Sequence, residues 1–588
     1  MHHRACDTSA AALAAALLLC LPFVLPWHVR PVPSFAQEWL AFVLGLLVLA
    51  AVLAVRRSTH LLLPPIVLAP VALAAVLLLQ LFLGQVGHPV NALVAIGFLL
   101  WSALLAVSAR SAAQHGTGAL YPTLAWGTLA GAALNALFGL AQYSGLSAHL
   151  SGLVFAAPAI DRYGVYGNLA QANHFSTHLA LGLAALAWLR AAGRIGAIAA
   201  GAGALLLLTA MALSGSRSIG LHRLWIGALW LVAQRAPGAG LPRARLLLLG
   251  AVLAGLGAGL WLAVQSGLAG PQLTRLVLFS EGAGPRAYFW RHALEMAAGQ
   301  PLLGVGLDRF AYALVGQLQP GEKIWDIDQY AHNLGLQLLA TTGLAGFAAL
   351  AAPLVLFARR VGRTRLDRET LWPWSVLGVL FIHSMLEQPL YYAYFLGYAA
   401  FVAGAADPAA WRLRLGLPLR AAGLVLVLAA LAALACSASD YRALAHAFYN
   451  APGDASDAGA AGAASGASGQ RLLLGALHAR SMFAPLAELI APEQFVGHAA
   501  PVHAKLAFNA RLMQFAPIAE VEFRHAALLA EAGQLAAAKT QFTRAARAYP
   551  KQAPHYARRL VVQSAAAPAL GPLAVFALNT SAHLELAP

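Results

Sequence analysis

Apolar residues run along this chain in blocks of about twenty, separated by short polar turns. A helix needs about 20 apolar residues to cross a hydrocarbon core. Roughly thirteen stretches approach that length: 9–27, 38–55, 62–83, 90–108, 119–142, 171–190, 195–213, 219–233, 245–266, 332–358, 372–387, 390–405 and 419–437. Pro389 interrupts 372–405, which reads as one kinked span or two. After 437 the pattern changes. Residues 451–470 are an Ala/Gly/Ser linker. In 520–550, small and apolar residues recur at helical spacing around Gly533, and Pro550 closes the second helix. That spacing resembles one tetratricopeptide-type hairpin, although a plain helical domain fits it too. The prediction is an all-α polytopic membrane protein with about 13 transmembrane helices over 1–437 and a helical domain over 438–588.

Composition agrees and narrows the class. Of 588 residues, 60% are hydrophobic and 10% charged. Soluble domains carry about 45–50% and about 25%. A soluble enzyme, a disordered protein and a coiled coil are excluded. The net charge of +16 is nearly all arginine. Outside the 438–588 tail most of the arginines, among them Arg56, Arg57, Arg110, Arg190, Arg194, Arg359, Arg360, Arg363, Arg412 and Arg414, fall in loops on one side of the predicted spans. The positive-inside rule makes that side cytoplasmic and explains the charge without nucleic acid. It sends the loops 144–170 and 267–331, and the 438–588 tail, to the opposite, non-cytoplasmic side. A small-residue site at Ser34-Phe35-Ala36 would also suit a cleaved signal peptide; a retained first span is expected. Cys6, Cys20 and Cys436 form no CxxC or metal spacing, so neither a disulfide framework nor a zinc site is expected.

Ionisable and amide residues at a membrane boundary, away from the basic side, are functional candidates. Residues 166–175 (YGNLAQANHF) offer Gln171 and Asn173, whose amides suit sugar hydroxyls or a phosphate, or cap a helix. Residues 214–218 (SGSRS) offer Arg217, whose planar fork suits a phosphate, or lipid headgroups. Residues 284–291 (GPRAYFWR) offer Arg286, which binds an anion or pairs with Glu281 or Glu295; the spacing Arg286–Trp290–Ala293–Ala297 predicts an amphipathic helix. Residues 328–337 (DQYAHNLGLQ) place His332 and Asn333 at the start of an apolar helix. Histidine suits proton transfer near neutral pH, and equally serves as a cap. In 383–392 (HSMLEQPLYY), His383 and Glu387 are four apart on one helical face, a spacing that could ligate metal. No third ligand lies nearby, so a hydrogen-bonded structural or substrate-orienting pair is expected, and no metal. Walker A and GxSxG motifs are absent from the sequence.

Taken in order, these pieces resemble the O-antigen polymerase/ligase superfamily, bacterial inner-membrane glycosyltransferases that use undecaprenyl-diphosphate-linked glycans at the periplasmic face. The segment from Arg286 through 301–306 (PLLGVG) to 331–340 (AHNLGLQLLA) and Gly343 is similar to the superfamily's core loop and helix. Residues 167–175 and 383–391 resemble its protein O-oligosaccharyltransferase branch. The resemblance implies His332 as base or orienting group at the transferred sugar and Arg217 and Arg286 on the diphosphate. It implies Gln171 and Tyr391 or Tyr392 in the same site. Its implied partners are the lipid-linked oligosaccharide, a periplasmic acceptor protein and membrane lipids, with no cofactor. Acceptor alternatives are lipid A core and a growing polymer. A secondary transporter also fits the composition, but its polar residues belong near the midplane of repeated halves. Here they sit at one face, without a repeat.

Overall fold

The computed structural model describes all residues except 1, 56–59, 115–116, 156–163, 217, 234–283, 323, 365–367, 450–471, 498 and 586–588. Among the described residues six helices are long and apolar enough to cross a membrane: Phe35–Ala54, Pro65–Phe82, Pro89–Ala113, Gly118–Tyr143, Leu334–Gly362 and Leu417–Tyr449. Shorter apolar helices cover Ala10–Val24, Ala197–Leu213, Ile219–Leu231 and Ala393–Ala406. The predicted run 245–266 lies outside the described residues. Around Pro389 there are two helices, Arg368–Ser384 and Ala393–Ala406, joined through a 3-10 turn at Pro389–Tyr391. The run 62–83 is present as the span Pro65–Phe82, its start trimmed by a few residues. Pro64 and Pro65 cannot donate the backbone hydrogen bonds of a helix interior. His60–Leu63 is a strand, paired antiparallel with Trp411–Arg414, and the span opens with a 3-10 turn at Pro65–Val67 that leads into the α-helix Leu68–Phe82.

The chain divides into two compact units, each assembled from separated segments. The first comprises 1–72, 98–282 and 349–435. Its central helix is Ala172–Ala191, packed by Thr117–Tyr143, Ala197–Leu213 and Arg368–Ser384. Fourteen of that helix's twenty residues are buried, so its apolar surface runs all round rather than along one stripe. Close approach depends on small residues. A Cβ on Gly182 would sit 2.3 Å from the Ala132 Cβ. By contrast, Val425, Leu426 and Leu428 on Leu417–Tyr449 are more than 60% exposed, an apolar surface that suits lipid. On the arginine-rich side, Arg360 grips the buried Asp407 with both ends of its fork, at 3.0 and 2.7 Å. Asp407 also accepts the Ile66 N–H at 3.1 Å, so this carboxylate is paired and hydrogen-bonded as burial requires. Arg420 donates to the Leu53 and Val55 carbonyls left open at the end of Phe35–Ala54.

The second unit comprises 73–97, 283–348 and 436–588. In its C-terminal part, Ala519–Glu531 and Leu535–Ala548 form a helix hairpin that turns at Gly533 (φ +76°), a left-handed position that favours glycine. Ala553–Ser564 and Gly571–Glu585 stack on it over a core that includes Phe523, Phe542, Leu560 and Leu573. The helix Val502–Phe515 carries Gln514, which accepts a bond from Arg309 at 2.7 Å, and Gln329 donates to the Phe515 carbonyl at 3.2 Å. The tail and the 283–348 segment therefore fold together.

Candidate active site

In the second unit the site is built around a broken helix. Leu334–Gly362 departs from helical geometry at Gly343 (φ +63°, ψ −163°), a conformation open to glycine alone. The break releases backbone groups that the loop 301–306 takes up. Val305 and Gly306 N–H donate to the Ala340 and Thr341 carbonyls at 2.8 and 3.0 Å. Leu344 and Ala345 N–H donate to the Pro301 and Leu302 carbonyls at 2.8 and 3.1 Å. The buried Gln80 amide bonds the Leu303 and Thr341 carbonyls at 2.6 and 2.8 Å, which ties the loop to the helix a second time. This strap fixes the N-terminal half of the helix and hence the residues that precede it.

His332 lies two residues before the start of the helix. Asn333 Oδ1 accepts the Leu336 N–H at 3.0 Å, so Asn333 caps the helix. Gln337 reaches back: its Oε1 accepts the Ala331 N–H at 2.7 Å and its amide donates to the Gln329 carbonyl at 3.4 Å. Held from both sides, His332 adopts φ +52°, a left-handed conformation that costs a non-glycine residue on the order of 1–3 kcal/mol. Such strain is retained where surrounding bonds over-determine it, and here they do. The imidazole Nε2 lies 3.1 Å from Asp328 Oδ2, and the ring centroid 5.6 Å from that of Phe289. The His332 side chain is 20% exposed, so it is positioned yet reachable.

Phe289 sits on the helix Gly284–Gly299, whose buried side carries Tyr288, Phe289, His292, Ala293 and Met296. The predicted amphipathic helix is present, but with this buried face; Trp290 and Ala297 lie at its half-buried edges. Half-buried Arg286 is three residues from Phe289, so its Cα lies on the helix side that meets His332. Glu295, one of the partners considered for Arg286, pairs with Arg291 at 3.7 Å and His292 at 3.4 Å; Glu281 lies outside the described residues. Glu322 anchors the loop that leads to Asp328. Partial burial alone would raise its carboxyl, but the Gln319 N–H, His292 and Arg291 outweigh that and hold it below the usual carboxylate range. A depressed folded value contributes stability that is present above the ordinary pKa of about 4.3 and lost as pH falls through the folded one. Hydrogen exchange in 318–331 should therefore be independent of this group from neutral pH to about pH 5, and its protection should fall below about pH 4. Protection unchanged in acid would mean that Glu322 does not hold the loop.

In the first unit the structure brings together the three polar motifs on 166–175, 214–218 and 383–392. The Asn173 amide donates to Glu387 Oε1 at 3.0 Å, and Ser216 Oγ donates to Asn173 Oδ1 at 2.7 Å. Ser216 and Ser218 hydroxyls are 2.9 Å apart. Gln171 occupies the N-cap position of Ala172–Ala191 without capping it through its side chain; its Oε1 is buried with no partner among the described residues. Tyr392 stands edge-on to His174, centroids 4.7 Å apart, and His174 edge-on to His383 at 5.4 Å. Tyr391 closes the 3-10 turn. Glu387 lies beyond the end of the Arg368–Ser384 helix, and its N–H still bonds the His383 carbonyl at 2.8 Å. Arg217 lies outside the described residues. Among the described residues no group of three His, Cys, Asp or Glu is arranged to hold a metal ion. Two contributors escaped the sequence reading. Ser216 left no signal beyond its Gly/Ser setting, whereas Asp328 stood four residues before His332 and its pairing was open to inspection.

Comparison with known proteins covers both units. Residues 179–351 match the family described as O-Antigen ligase. Residues 371–564 match Virulence factor membrane-bound polymerase, C-terminal, and 165–189 match Protein glycosylation ligase. The General O-oligosaccharyltransferase of Acinetobacter baylyi is 25% identical over 412 residues, 67% of this chain and 69% of that protein. The Exopolysaccharide production protein ExoQ of Rhizobium meliloti is 28% identical over 330 residues, 51% of this chain and 71% of that protein.

Proposed function

We infer that this chain, a member of the O-antigen polymerase/ligase superfamily most like its protein O-oligosaccharyltransferase branch, moves a preassembled oligosaccharide from undecaprenyl diphosphate to Ser or Thr hydroxyls of periplasmic proteins. A transferase of a glycosyl-transferring family needs three things at this step: a base for the hydroxyl, cations for the departing diphosphate, and polar groups that hold the sugar. The observation that carries the reading is the imidazole of His332, held by Asp328 at the head of a strapped helix, with Arg286 rooted on the neighbouring helix face. The acceptor oxygen bonds to the anomeric carbon as the bond from that carbon to the diphosphate oxygen breaks. The diphosphate leaves with the electron pair, and the hydroxyl proton passes to His332. Arg286 meets the negative charge that develops, a role that the resemblance implies for Arg217 as well, and a guanidinium does so without changing its own protonation. The Gln171, Asn173, Glu387 and Tyr392 set supplies fixed donors and acceptors of the kind that sugar hydroxyls need. His383 lines the same set, and Tyr391 shapes its turn.

The protein acceptor rests on the match at 165–189 and on the Acinetobacter relative. The O-Antigen ligase match and the Rhizobium relative favour a second reading, in which the acceptor is lipid A core or another lipid-linked glycan. Expression in cells that make one lipid-linked glycan but lack their own ligases tests both. Glycoprotein supports the first reading, while glycolipid or long polymer alone replaces it with the second. No transfer product of any kind would return the chain to the transporter class.

The reading places about thirteen spans in an inner membrane, with the catalytic loops and the tail in the periplasm, because the arginine count favours the other side so strongly. Reporter fusions after residues 300 and 500 should be active only as periplasmic reporters; cytoplasmic signal from either would sink the shared location. Arg286→Ala should lower transfer by roughly 10²–10³-fold, as removal of one charge-stabilising donor does, with membrane levels intact. A fully active Arg286→Ala would mean that the diphosphate is held elsewhere.

A further inference from the structure

Asp328 and His332 are four residues apart, but no helix joins them. Residues 328–333 are irregular, and His332 is left-handed. The meeting of the two side chains is imposed by hydrogen bonds rather than by helical periodicity. Asp328 Oδ1 accepts the Tyr330 N–H at 3.2 Å, a local turn that aims the other carboxylate oxygen back along the chain. That oxygen, Oδ2, lies 3.1 Å from His332 Nε2. The Gln337 side chain clamps Ala331 between them. An ionised carboxylate only accepts hydrogen bonds, so the nitrogen facing it carries the proton. The other nitrogen, Nδ1, is then the one with a lone pair for an incoming proton.

We propose that Asp328 is a positioning residue that fixes His332 in one orientation and one tautomer, with the proton on Nε2 and Nδ1 as the atom that takes the proton of the acceptor hydroxyl. The proposal deepens the functional reading above and rests on it. As a mere surface ion pair, between side chains 20% and 34% exposed, the contact would contribute little. A role in orienting the base explains why a non-glycine residue is held left-handed beside it.

The geometry makes Asp328→Asn unusually informative. The turn needs an acceptor toward the Tyr330 N–H, so the carbonyl oxygen of Asn takes the place of Oδ1. Its NH₂ then takes the place of Oδ2 and donates to Nε2, which drives the imidazole proton onto Nδ1. The turn survives while the tautomer is reversed. A structural role predicts that Asp328→Asn resembles the unaltered protein; a positioning role predicts that it does not.

The experiment compares the full-length protein with Asp328→Asn, His332→Ala and the double variant in purified form, using undecaprenyl-diphosphate-linked glycan and an acceptor protein. Asp328→Asn should lose roughly 10²-fold or more in kcat, as tautomer reversal does in a comparable Asp–His pair, with donor KM and melting midpoint unchanged. The double variant should be no slower than His332→Ala, because Asp328 acts only through the imidazole. Wild-type kcat in Asp328→Asn would overturn the proposal. So would an equal loss of donor binding, which would make Asp328 structural. The functional reading fails differently. An unaltered rate in His332→Ala removes the base itself, and an unaltered protein that transfers to no hydroxyl acceptor removes the enzyme.

Discussion

His332→Ala is expected to lower transfer by roughly 10²–10⁴-fold, the range typical of a general acid–base group, while the protein still binds its lipid-linked donor. The imidazole is reachable, at 20% exposure, and its Nε2 is engaged by Asp328. Truncation removes the proton acceptor and leaves the helix start intact, because capping belongs to Asn333 and the clamp to Gln337. The change also relieves no steric demand for a particular side chain: alanine at φ +52° carries a left-handed strain like that of histidine. Stability should therefore move little, and the loss should appear in kcat rather than in donor KM. Transfer and donor binding measured on one purified preparation decide the matter. Near-normal transfer would remove His332 from the mechanism. Parallel loss of transfer and donor binding would make it a donor-site or folding residue.

Gly343→Ala is expected to be among the most damaging single-methyl additions in the chain. A Cβ there would lie 2.4 Å from the carbonyl carbon and oxygen of Leu302, inside backbone that has no flexible end to swing away. The backbone angles, φ +63° and ψ −163°, add a strain of roughly 1–3 kcal/mol for any residue with a Cβ. Together the two effects should cost on the order of 3 kcal/mol or more. The damage should spread along the strap. Displacing Leu302 strains the Val305 and Gly306 bonds to Ala340 and Thr341, and the helix end that carries His332 loses its anchor. Lower membrane yield, a lower melting midpoint and faster proteolysis in 301–345 are the readouts. Gly220→Ala is the control. It lies in the helix Ile219–Ala233 with open space where its Cβ would go, so it should be neutral or slightly stabilising. Equal melting midpoints for the two variants would show that the strap yields easily and does not fix the helix.

The sequence carried the membrane class and the helical architecture because hydropathy is a local property: a run of twenty apolar residues reveals itself without knowledge of its neighbours. Pro389 and Gly533 were legible for the same reason, since a proline or a turn glycine acts on its own backbone. The motifs around His332 and Gly343 could also be found in order along the chain. Their physical reason could not be found there. Gly343 is required because Leu302 approaches it from a loop some forty residues earlier, and no periodicity announces that meeting. The helix start at His332 and Asn333 could be read along the chain, but only the bond from the Leu336 N–H makes Asn333, and not His332, its cap. The strand at His60–Leu63, which runs into the apolar stretch 62–83, was not legible because its partner, Trp411–Arg414, lies far along the chain. Asn173 and Glu387 are 214 residues apart, and only packing of their helices into one unit makes them partners. A buried amide or carboxylate must find its hydrogen bonds within the fold. Which partner it finds depends on three-dimensional proximity, so the chemistry of each group was open in the sequence and its assignment was made by the tertiary structure.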